Sequence, residues 1–182
     1  MLQHRVTCVR SLFAVIAALA VASGSACAQG APATTAAASR PGPGCVDDGP
    51  PQTGLPHEAL TVQTSRGPVR LDVQVAATEQ TREKGLMFVR AMPQDEGMLF
   101  DFQPAQPVAF WMHNTYLPLD LLFVGEDGRI LNIARNARTC DDTRIPSRGA
   151  ARAVIELNAG AAERLGSRAG DRVTGQRIFR AR

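Results

Sequence analysis

VRLDVQV, residues 69–75, sets Val69, Leu71, Val73 and Val75 against Arg70, Asp72 and Gln74. A period of two sends successive side chains to opposite faces, so the stretch reads as a strand with one face in a core and one in water. LTVQT (60–64) before it and the Ser65-Arg66-Gly67 link predict a hairpin. The same signature continues downstream. GMLFDF (97–102) aligns Met98, Phe100 and Phe102 on one face, and in VAFWMHN (108–114) Val108, Phe110 and Met112 oppose Ala109, Trp111 and His113. LDLLFV (119–124) and RILNIA (129–134) flank an Asp127-Gly128 pair, a strong hairpin signal. ARAVIELN (151–158) and DRVTG (171–175) read as further strands.

Two short helices interrupt the strands. TEQTREKGLMFV (78–89) starts on a capping threonine, Thr78, and carries helix-favouring residues as far as Gly85, which ends or bends it. AGAAERLG (159–166) is a helical turn closed by Gly166. Many short strands with glycine and proline between them predict a mainly β fold, an antiparallel β-sandwich or partly closed barrel with two short helices.

The N-terminus is of another kind. His4, Arg5 and Arg10 precede the apolar run SLFAVIAALAVA (11–22), which is short for a bilayer span, and Ala26-Cys27-Ala28 offers small residues at a cleavage site. Residues 1–28 are therefore expected to be a signal peptide, with the protein periplasmic or secreted. Lipid anchoring at Cys27 is the lesser expectation, because Gly24 stands where a lipobox requires leucine. Residues 29–56, rich in alanine, proline and glycine and without apolar periodicity, are expected to form a disordered tether. Residues 57–182 suffice for one globular domain. Cleavage removes Cys8 and Cys27 and leaves Cys45 and Cys140 in an oxidising compartment, which predicts one disulfide.

Loss of Arg5 and Arg10 leaves 18 basic side chains against 17 acidic ones, so nucleic acid is not an expected partner. No membrane-spanning segment is expected after cleavage. No CxxC, HExxH, GxSxG or phosphate-binding glycine loop occurs, and neither a metal nor a cofactor is expected. Met87, Met92, Met98 and Met112, with His113, have the ligand types for Cu(I), but the methionines at 87, 98 and 112 fall in apolar periodic stretches and read better as core.

FWMHNTYLPLD (110–120) holds the only tryptophan and the only tyrosine. In strand geometry Trp111 and His113 leave the face of Phe110 and Met112, so one face packs and the other meets a second layer or a ligand. Asn114 sits at the following turn. Asp120 lies between Leu119 and Leu121, and Glu156 repeats the situation in VIELN. A carboxylate on an apolar strand needs a partner, and Arg82, in the helix ahead of Gly85, is the expected one for Asp120.

The segments REKGLMFV, EGMLFDF, AFWMHNTYLPLDLLFV, DGRI and VIELNAG, in this order and spacing, resemble the DUF192 family across roughly residues 60–174. The resemblance implies a compact β-rich fold with small helices and no established biochemical activity. The family commonly shows lysine where this chain has His113.

These readings converge on a non-catalytic exported binding or accessory domain. Its shallow pocket would be formed by Trp111, Asn114 and Asp120, supported by Arg82 and Glu156, for a small molecule or an envelope component. The alternative is a glycosidase-like envelope hydrolase with Asp120 and Glu156 as its acid and base.

Overall fold

The computed structural model of the chain describes residues 44–46, 48–176, 178 and 179. The expected signal peptide and residues 29–43 of the expected tether lie outside them. The described chain runs β1 (His57–Thr64), β2 (Gly67–Ala76), α1 (Glu79–Lys84), β3 (Glu96–Gln106), β4 (Ala109–Phe110), β5 (Leu119–Gly125), β6 (Ile130–Ala137), β7 (Ile145–Pro146), β8 (Ala151–Asn158), α2 (Ala161–Leu165) and β9 (Arg172–Gly175). Seven strands form one sheet in the order β6-β5-β8-β3-β2-β1-β9, and β4 pairs with β7 apart from it. The sheet curls into a half-barrel. Backbone bonds from Ile130 N to Asp171 O (2.9 Å) and from Val173 N to Gly128 O (2.8 Å) link the head of β6 to β9, at opposite ends of the strand order.

The hairpin expected around residues 65–67 is present, with β1 and β2 in register from His57 opposite Gln74 to Thr64 opposite Gly67. The expectation of an antiparallel sheet fails at one place, because β2 and β3 run parallel. Parallel neighbours need a crossover of a dozen or more residues, and residues 77–95, including α1, supply it. Thr78 caps α1 through a reciprocal pair with Thr81, and Gly85 ends it. The strand expected over residues 108–114 is regular only at Ala109–Phe110.

Alternation on the central strands feeds two cores. Leu60, Val62, Leu71, Val73, Leu99, Leu122, Val124, Ile130, Ile155, Leu157 and Val173 come from all seven strands and fill the inside of the curl. Met98, Phe100, Leu119, Leu121, Phe123 and Val154 point the other way and pack beneath Leu86, Met92, Met112 and Leu117. Because β5 and the stretches of β3 and β8 beside it are covered on both faces, LDLLFV is apolar at every position but Asp120 and does not alternate.

Asp120 lies in that run on the inner side, 1% exposed. Its partner is not Arg82. Oδ1 accepts from Asn136 N (2.8 Å), at a bulge where β6 slips against β5, and Oδ2 accepts from Ala162 N (2.8 Å). The second bond has a local cause: Gly160, the N-cap of α2, has no side chain with which to satisfy the first helical N–H groups. The Asp120 carboxylate does so from a neighbouring strand.

The described residues ahead of β1, 44–46 and 48–56, are tied to the domain at several points. Cys45 and Cys140 form a disulfide with Cα atoms 4.9 Å apart. Asp48 Oδ1 accepts from the Tyr116 hydroxyl (3.0 Å), and Gln52 Nε2 donates to the carbonyls of Thr81 (3.0 Å) and Gly85 (2.8 Å).

Asp120→Ala removes two charge-assisted acceptors and strands two backbone donors, so it should lower stability by about 3 kcal/mol or more. Urea unfolding checks this. A change within error would mean that water replaces the carboxylate at both N–H groups.

Candidate functional site

Glu156 stands in β8 opposite Met98 of β3 and Leu121 of β5. Neither neighbour offers a hydrogen-bond donor to a carboxylate. The residue is 4% exposed, and among the described residues no hydrogen bond or ion pair reaches its side chain. Burial alone pushes its carboxyl from 4.5 up to about 8. A buried carboxyl in this condition needs an explanation. It lines a cavity of about 290 Å³, open to solvent.

The walls come from three segments. Helix α1 contributes Glu79, Arg82, Glu83 and Lys84, and its end contributes Gly85. Gly85 has φ +47°, and a Cβ there would lie 3.2 Å from Phe100 Cζ, so glycine lets the helix end settle onto the aromatic wall. Strand β3 contributes Phe100 and Phe102. The β4 segment contributes Phe110, Trp111 and His113. Phe110 makes edge-to-face contacts with Phe100 (4.8 Å between centroids), Phe102 (6.2 Å) and Phe123 (6.0 Å). Trp111 is 51% exposed and stacks on His113 with centroids 5.2 Å apart. His113 is held in turn by Asp142 at 2.8 Å.

The structure therefore brings together Trp111, Arg82 and Glu156 of the expected site. It does not bring Asn114 or Asp120 to them. Asn114 is buried, with φ +48°, and its Oδ1 accepts from Val46 N (3.2 Å), so the amide ties residues 44–46 to the loop. Asp120 faces the inner core. Since Asp120 pairs with Leu157 and Glu156 with Leu121 across β5 and β8, the two carboxyl groups project from opposite faces of the sheet. The acid–base pair weighed from sequence is not assembled.

Arg82 serves neither carboxylate. Its Nη1 donates to the carbonyls of Ala77 (2.6 Å) and Asp101 (2.9 Å), and its guanidinium lies 5.1 Å from the centre of the Phe102 ring. Met92, Met98 and Met112 belong to the outer core. Among the described residues no group of three or more His, Cys, Asp or Glu is placed to hold a metal ion. No helix among them is long and apolar enough to cross a membrane. The aromatic wall went unread in the sequence because Phe100 and Phe102 look like ordinary core positions of GMLFDF. The glycine that ends α1 was the available signal of a close approach.

The condition of Glu156 makes stability depend on pH. The folded carboxyl keeps its proton up to about 8 and the unfolded one releases it near 4.5, so the folded state holds the extra proton between those values. Its contribution is complete below the window, falls as pH rises through it by up to about 1.4 kcal/mol per pH unit, and levels off above it. Glu156→Gln should flatten this part of the curve and be the more stable protein above the window. Parallel urea-unfolding curves of the two proteins between about pH 5 and pH 9 would instead show a carboxyl with an ordinary titration.

Comparison with known proteins covers this same region. The DUF192 family, described as an uncharacterized ACR, matches residues 60–175. A crystal structure of a proposed transcription regulator from Sinorhizobium meliloti 1021 is similar at 44% identity and a TM-score of 0.66, covering 68% of this chain and 97% of that one. A protein of unknown function from Novosphingobium aromaticivorans DSM 12444 is similar at 40% identity and a TM-score of 0.66, covering 76% of this chain and 93% of that one. A search of curated proteins found no match. The family match runs from within β1 to the end of β9 and so takes in every element that lines the cavity: the chain belongs to the DUF192 family.

Proposed function

We propose that this protein is an exported, non-catalytic binding domain of the cell envelope that takes a small molecule into the cavity over Glu156. One observation carries the reading. A carboxyl group 4% exposed, with no protein partner among the described residues, lines a cavity walled by Phe100, Phe102, Phe110 and Trp111. A carboxyl with so little access to water is poorly solvated, and a ligand that supplies a partner recovers part of that loss on binding. Aromatic walls with few polar groups are the usual make-up of small-molecule sites. The half-exposed Trp111 lies where a bound molecule would cover it.

A hydrolase reading is less well supported, because Asp120 and Glu156 lie on opposite faces and Asp120 is already saturated by backbone donors. Nor does the charge favour nucleic acid, with 18 basic and 17 acidic side chains in residues 29–182.

The envelope part of the proposal rests on the basic start, the apolar run and Ala26-Cys27-Ala28. Mass spectrometry of protein recovered from an expressing bacterium's envelope fraction should find Gln29 at its N-terminus. Folded protein that retains Met1 would overturn export, and an acylated Cys27 would replace release with anchoring.

For binding, the purified protein is screened against small amines, alcohols and carboxylates by saturation-transfer NMR, with the Trp111 emission as a second readout. At least one class should bind and perturb the indole, and Trp111→Ala should weaken it by about tenfold or more, as loss of a stacking surface does. Binders that persist unchanged in Trp111→Ala and in Glu156→Gln would place the ligand site elsewhere.

A further inference from the structure

The chemistry of the cavity narrows the ligand class, and this step rests on the binding reading above. We infer that the cavity takes an organic ammonium ion, its charged head against the Glu156 carboxylate and its carbon body among the aromatic rings. Three observations point the same way. First, the buried acid of the lining is flanked across the ladder by Met98 and Leu121, and among the described residues no cation pairs with it. Second, a ring of the wall already holds a cation: the Arg82 guanidinium lies 5.1 Å from the Phe102 centroid.

Third, the charge of the lining is unfavourable to an anion. Glu79, Glu83 and Glu156 line the cavity against Arg82 and Lys84, an excess of one negative charge when Glu156 is ionised. Arg82 has also committed its Nη1 to two backbone carbonyls. A metal ion is a poor fit, because hard cations want several oxygen ligands and among the described residues no group of three or more His, Cys, Asp or Glu is gathered to supply them. The volume of about 290 Å³ sits at the small end of ligand pockets, room for a body of about one ring.

Proton linkage follows from the same arrangement. Without a ligand, the buried carboxyl holds its proton at neutral pH, and an ammonium head favours the ionised form. The titratable groups lining the cavity are Glu79, Arg82, Glu83 and Lys84 from α1 and His113 from the β4 segment. The directly opposed residues of β3 and β5, Met98 and Leu121, do not titrate. Binding of a permanent cation should therefore release a proton at neutral pH and strengthen as the pH rises.

The test compares benzyltrimethylammonium, benzyl alcohol and phenylacetate on the full purified protein. Isothermal titration in two buffers of different ionisation enthalpy measures affinity and proton release, and Trp111 emission gives an independent signal. The cation should bind about tenfold or more tightly than either other probe, release a proton near pH 7, and lose that preference in Glu156→Gln. If the alcohol or the carboxylate binds as tightly as the cation, with the same response of Trp111, the binding reading stands and the ammonium inference falls. If none of the three produces heat or moves the indole emission, both fall.

Discussion

The organising constraint is the burial on both faces of β5, most of β8 and residues 97–100 of β3. A strand sends alternate residues to opposite sides, and here each side meets a core, so no solvent face is left to absorb a polar residue. Every polar side chain in the stretches buried on both faces must therefore find an internal partner or open onto a cavity. Asp120 and Glu156 stand on adjacent strands, yet the register that pairs Asp120 with Leu157 and Glu156 with Leu121 assigns them to different sides.

Their environments then separate two residues of nearly the same chemistry. Asp120 meets backbone donors that the fold itself leaves unpaired, at the β6 bulge and at the start of α2 beyond Gly160, and so becomes a structural clamp. Glu156 meets a thioether and a leucine across the ladder, and its charge is opposed by desolvation alone. A methionine or glutamine there would relieve the penalty while keeping much of the volume. On the binding reading proposed above, the adjoining cavity supplies the physical reason for a locally unfavourable group in this layer.

Much of the architecture was legible because alternation is a local signal. Most strands, the Thr78 cap, the stop at Gly85 and the turn closed by Gly166 all follow from a few adjacent residues. The parallel pairing of β2 with β3 was not legible, since hairpin signals report sequence neighbours and a crossover leaves no mark at its ends. Arg82 was misread for a related reason. Sequence shows that a guanidinium is present, but the acceptors that won were the carbonyls of Ala77 and Asp101, which every sequence has. VIELN did disclose a carboxylate in need of a partner. Which face it took, and so whether Asp120 could reach it, depended on long-range register.

The irregular walls of the cavity are restrained by the segment before β1. After Phe110 the chain leaves regular strand geometry, and residues 111–116 are held by individual bonds: Met112 N to Asp141 O (2.8 Å), Cys140 N to Thr115 O (3.2 Å) and the Tyr116 hydroxyl to Asp48. The disulfide fixes Cys45 to Cys140, and Asn114 grips Val46. On the other wall, Gln52 bonds the carbonyls of Thr81 and Gly85 at the end of α1 and also reaches Met98 Sδ (3.7 Å), the residue opposite Glu156. Cys45, Val46, Asp48 and Gln52, close together in the chain, thus brace both sides of the cavity without lining it. Loops are ordinarily the least constrained part of a domain, and a binding site built from them gains its rigidity only from such cross-links. The disulfide therefore acts on the site as well as on the stability of the chain, because it fixes one end of this brace beside the segment that carries Trp111 and His113.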